Sequence, residues 1–148
     1  MTITMIFEKY KDKAATLEPW ATSRGVGEFE VIEDLFANRP WTDINVNDLC
    51  EFPECPLFLS DEAILLHLPA LVIAGQTCPN RLDISNHLVS RLSQFEPDLH
   101  CLYYSAASVR ELGVSLASSF LHDESGISES IRRQFAITAN QIEQLERS

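Results

Sequence analysis

Apolar residues recur along most of this chain at intervals of three and four, the spacing that lines one face of an α-helix. Ile3, Ile6, Phe7, Tyr10 and Ala14 follow it and predict a first helix over residues 4–17. Pro19 and the stretch Ser23-Arg24-Gly25-Val26-Gly27 interrupt the pattern, because proline lacks a backbone donor and glycine adds backbone freedom. Phe29, Ile32, Leu35 and Phe36 restore the period and predict a second helix from Glu28 to Asn38, closed by Pro40. Trp41-Thr42-Asp43-Ile44 leads into a helical turn over Asn45 to Cys50, and Pro53 and Pro56 bracket an irregular link.

The clearest element follows. Ser60 is a good N-cap, Asp61 and Glu62 place negative charge in a first turn, and Ala63 to Ala74 is almost wholly apolar, as in a helix buried on most sides. Pro69 inside that run removes a hydrogen bond and crowds the preceding turn, which predicts a kink or two abutting helical pieces, with Gly75 at the far end. After a loop at Cys78-Pro79-Asn80, Ile84, Leu88, Val89 and Leu92 define another amphipathic helix that closes before Pro97. Leu99 to Tyr104 reads as either one short strand or an extended link. A helix then reaches about Leu121 through Val109, Leu112, Leu116 and Phe120, capped by Ser105 or by a Ser108/Glu111 capping box. A turn over 123–126 precedes a last helix, Ser128 to Leu145. No internal repeat or low-complexity tract divides the chain, so the expectation is an all-α fold, a single compact domain over residues 1–148 with about six helices.

Composition agrees with this reading. At 148 residues roughly two-thirds of the unfolded surface can be buried in one core, and 45% hydrophobic with 22% charged residues is unlike a disordered chain. The start lacks a basic segment followed by an apolar run, and no stretch reaches the ~20 apolar residues that span a bilayer, so the expected setting is a bacterial or other cytoplasm. Cys50, Cys55, Cys78 and Cys101 can make two disulfides or one zinc site in principle, but contain no C-x-x-C pair. In such a setting they are expected to be reduced and mostly buried, with no metal.

Charge changes the picture most. The formal net charge is -11, which disfavours a phosphate backbone or an anionic membrane and favours a basic protein partner. Ten acids (Glu28, Glu30, Glu33, Asp34, Asp43, Asp48, Glu51, Glu54, Asp61 and Glu62) face a single base, Arg39, within residues 28–62, so that segment alone carries 1 − 10 = -9. Such a concentration is either a solvated face, a surface for a basic protein, or carboxylate raw material for Mg or Mn. The partner-binding candidates are Glu28, Glu30, Glu33, Asp34, Trp41, Asp43, Asp48, Glu51 and Glu54, with Trp20, Trp41 and Phe52 either anchors beside the acids or core residues.

Catalytic signatures are missing from the sequence: there is no G-x-S-x-G, no G-x-G-x-x-G or P-loop, and no H-E-x-x-H among His67, His87, His100 and His122. No catalytic residue and no cofactor is therefore assigned. The segments F-A-N-R-P-W-T-D-I from Phe36 and F-L-S-D-E-A-I-L-L-H-L-P-A-L from Phe58 resemble an uncharacterised family of small bacterial proteins, in which a Trp precedes F-L-[ST]-x-E-A-x-x-Y-Y-L-P-A. Here Leu66 and His67 stand in place of its two aromatics. The resemblance covers about a third of the chain and implies a small helical domain, with no activity attached. The leading expectation is a non-enzymatic, cytoplasmic immunity or inhibitor protein masking a basic toxin, a nuclease for instance; the alternatives are a carboxylate-based Mg/Mn enzyme and a homodimeric adaptor.

Overall fold

The computed structural model describes residues 2–13, 29–36, 39–97, 103–122 and 126–147, the side chains of Lys13, Phe29, Glu30 and Glu33 excepted. Their centre is the apolar run. It divides at His67 into α4 (Asp61–Leu66) and α5 (Leu68–Thr77), so Pro69 falls in the first turn of a new helix, where its missing N–H costs nothing. Of the two outcomes expected for Pro69, abutting pieces is the one realised. Ser60 caps α4 by accepting from the Ala63 N–H at 3.1 Å. The Leu66 carbonyl at the joint, which has no helical donor, accepts from the Tyr104 hydroxyl at 3.2 Å.

Every residue of α5 from Leu68 to Gly75 is buried, because this helix is wrapped on all sides. It packs against α1 (Ile3–Tyr10), α3 (Val46–Glu51), α6 (Arg81–Ser93) and α7 (Ala106–Ser118). α5 continues past Gly75 to Thr77, so the glycine is a packing position and not the end of the helix. A Cβ there would lie 2.7 Å from Ser85 Oγ of α6 and 2.9 Å from Leu116 Cδ1 of α7. The Gln76 amide adds a polar tie, donating to the Ser115 carbonyl and hydroxyl at 2.9 Å.

α7 and α8 (Ile127–Glu146) pack antiparallel. Glu146 near the end of α8 accepts from the Ala106 N–H that opens α7, and Ser128 at the start of α8 donates to the Ala117 carbonyl near the end of α7. Between them a Cβ on Gly113 would stand 2.3 Å from Phe135 Cβ, so only glycine lets the two backbones approach this closely. Ser105, and not the Ser108/Glu111 box, caps α7. Gly126 precedes α8 with φ +87°, a left-handed conformation that glycine adopts at no steric cost.

The N-terminal part is built from shorter pieces: α1, α2 (Phe29–Phe36), α3 and 3₁₀ turns at Trp41–Asp43 and Cys55–Phe58. α1 is tied to α7 by the Lys9–Glu111 ion pair and by the Tyr10 hydroxyl, which donates to Glu111 at 3.2 Å. The described residues thus form eight α-helices and no strand, an all-α fold whose count exceeds the expected six because the apolar run divides and the 45–50 turn is a helix. Most of the 99–104 segment lies outside the described residues.

One expectation is corrected. Cys50 and Cys78 form a disulfide, with Cα atoms 5.3 Å apart across 28 residues of sequence, because the end of α3 is packed against the end of α5. Cys55 is free and buried, and burial, reinforced by the Glu54 charge, pushes its thiol up to about 12. Cys101 lies outside the described residues.

Candidate functional site

α2 and α3 enclose a surface groove of about 380 Å³ lined by Val31, Asp34, Leu35, Asp48, Glu51 and Phe52. Each wall has the same construction. Val31, Asp34 and Leu35 are spaced i, i+3, i+4 on α2, and Asp48, Glu51 and Phe52 repeat that spacing on α3 and its C-cap, so each triplet forms one stripe along its helix. The opposite sides face inward: Ile32, Phe36 and Leu49 are all fully buried. Amphipathic burial therefore sets the orientation of both stripes.

α3 is started by Asn45, whose side chain accepts from the Asn47 N–H at 2.9 Å, and Asp48 sits in its first turn, where negative charge suits the helix dipole. Phe52 is half-buried and stacks on Phe58, with centroids 5.7 Å apart and planes 18° from parallel. Among the described residues, none of the ion pairs involves Asp34, Asp48 or Glu51. The groove is thus an apolar floor edged by three carboxylates that meet no cation among the described residues.

The sequence candidates divide on this geometry. Asp34, Asp48 and Glu51 line the groove. Asp43 and Glu54 are exposed but outside its lining, and Glu30 and Glu33 lie on α2 with their side chains outside the described residues, as Glu28 and Trp20 are altogether. Trp41 is 3% exposed: its indole N–H donates to the Tyr10 carbonyl at 3.1 Å and its ring meets Phe7 edge-on, so of its two readings the structure places it in the core. Sequence reasoning takes Leu35 only as part of the second helix's apolar period and misses Val31, although the spacing of both around Asp34 is a usable signal.

Asp61 and Glu62 are engaged elsewhere. The Asp61 carboxylate accepts from the buried Arg91 guanidinium at 2.7 Å, and Arg91 also donates to the Pro56 and Leu59 carbonyls, which fixes the link before α4. Glu62 accepts from the Tyr103 hydroxyl. His67 is fully buried with both ring nitrogens lacking a hydrogen-bond partner, and desolvation alone lowers its pKa to about 3. Its ring meets Phe36 edge-on at 4.9 Å, as an apolar core residue would.

No group of three or more His, Cys, Asp or Glu side chains among the described residues is arranged to hold a metal ion, and no described helix is long and apolar enough to cross a membrane. Comparison with protein-family models, with curated proteins and with solved structures found no match to this chain.

Proposed function

We propose that this chain is a protein-binding domain whose α2–α3 groove captures a basic segment of a partner protein. The observation that carries the reading is the pairing of an apolar floor, Val31, Leu35 and Phe52, with Asp34, Asp48 and Glu51, none of them in an ion pair among the described residues. A lysine or arginine side chain matches both parts, its methylene stem lying on the floor and its charged head reaching the carboxylates. The net charge of -11 steers such a partner from a distance, and covering the apolar floor with the bound stem supplies the residence time.

Within this reading the chain is an immunity or inhibitor protein, and the partner is a basic toxin whose anion-seeking surface, as in a nuclease, is masked. It performs no catalytic step itself. The resemblance to the small bacterial family rests on the sequence pattern around Trp41 and Phe58 to Ala70 and adds only a helical domain.

The test is affinity capture with the tagged wild type and an Asp34→Lys/Asp48→Lys/Glu51→Lys variant, at low and at high salt. A basic protein retained by the wild type, released by salt and absent from the variant supports the reading. Equal retention by both forms removes the groove from the function.

A further inference from the structure

The disulfide and the groove share one short helix. Successive helical residues are separated by about 100°, so Leu49 and Cys50 fall on the side of α3 away from the 48/51/52 stripe. On that far side Leu49 is buried, Cys50 is bonded to Cys78 at the C-cap of α5, and the Cys50 carbonyl accepts from the Asn80 side chain at 2.9 Å. A six-residue helix is far shorter than the ~12–15 residues that hold a helix together alone in water, so α3 keeps its position through these attachments. The disulfide is the covalent one, and it reaches the best-buried helix of the fold.

From this juxtaposition we propose that the groove is thiol-gated: the Cys50–Cys78 disulfide holds the α3 wall in place, and its reduction by a dithiol frees that wall and weakens the hold on a cationic segment. The inference rests on the groove being the binding site. The chemistry is thiol–disulfide exchange. A reductant thiolate attacks the sulfur of Cys50, the half-buried partner, and Cys78, which is 2% exposed, leaves as a thiolate and takes up a proton. The second thiol of the reductant then displaces Cys50. The protein gains two electrons and two protons, and the reductant becomes a disulfide. Cys55 does not compete, because its buried thiol stays protonated at neutral pH.

Two measurements on the whole chain test this separately from the groove's function. Amide hydrogen exchange over residues 46–52 is expected to quicken in the dithiothreitol-reduced wild type and in Cys50→Ser, with α7 and α8 unchanged. Unchanged protection of α3 on reduction overturns the proposal whether or not the groove binds anything, and the reduced wild type carries the test if Cys50→Ser does not fold. For the second, anisotropy of a fluorescent peptide of alternating arginine and leucine is expected to report binding to the oxidised chain that weakens by roughly tenfold or more on reduction, the scale of re-ordering a few side chains. Dithiothreitol should add nothing to Cys50→Ser. Equal affinity in both redox states overturns the gate and leaves the groove reading standing; no binding in either state overturns the groove reading, and the gate as a binding switch with it.

Discussion

The two ends of this molecule are held together by different means. In the C-terminal half, α5 to α8 run 10 to 20 residues each and meet at glycine contacts, Gly75 against Ser85 and Leu116 and Gly113 against Phe135. Around the groove, α2 and α3 have eight and six residues, and one of them depends on a side-chain cap, a disulfide and a borrowed hydrogen bond. Close packing leaves no room for change, whereas tethers hold a surface without filling it. The difference separates the part that determines whether the chain folds from the part that carries the groove carboxylates Asp34, Asp48 and Glu51.

The largest expected effect lies at the tightest contact. Gly113→Ala forces a Cβ to within 2.3 Å of Phe135 Cβ, and since neither helix backbone can yield cheaply, urea unfolding should record a loss of about 3 kcal/mol. A loss below ~1 kcal/mol would mean that the packed half is as adaptable as the tethered half. Next is acid. His67 has a folded pKa of about 3, below the ordinary value near 6.5, so the unfolded chain binds the proton more readily and the stability it contributes is complete above pH ~6.5 and drains away as pH falls towards 3. At about 1.4 kcal/mol per pH unit, denaturation at pH 5 should show roughly 2 kcal/mol less stability from this residue than at pH 7, and His67→Leu should remove that share of the slope.

Gly75→Ala should cost less than Gly113→Ala, about 1 kcal/mol by the same assay, because the atoms it meets are the free ends of Ser85 and Leu116. The smallest effect on stability belongs to the groove: Asp34→Lys and Glu51→Lys, both exposed, should stay within ~0.5 kcal/mol of wild type in thermal unfolding while abolishing salt-sensitive capture. If those reversals destabilise the chain as much as the glycine changes, the division between a structural and a presenting half fails.

What the sequence discloses follows the same division. The burial of α5, its break beside Pro69 and the Ser60 cap are local consequences of residue type, and each is readable from neighbours a turn away. Asp34, Asp48 and Glu51 are readable as a charge excess, yet their meeting across a groove is not, because α2 and α3 are brought together by the burial of Ile32, Phe36 and Leu49 in a common core. The Cys50–Cys78 bond escapes for a like reason: spacing of 28 residues says nothing about which helix ends adjoin. Asp61 and Glu62 read as first-turn charge, and only the fold reveals that Arg91 and Tyr103 engage them.

Trp41 has one more consequence, for the spectroscopist. An indole that is 3% exposed, bonded to the Tyr10 carbonyl and edge-on to Phe7 is a built-in fluorophore at the seam where α1 meets the acidic segment. With Trp20 replaced by phenylalanine, its emission should be blue-shifted and shielded from iodide. A red shift on mild heating, ahead of any loss of helical circular dichroism, would record the N-terminal pieces coming away while the α7–α8 pair still stands.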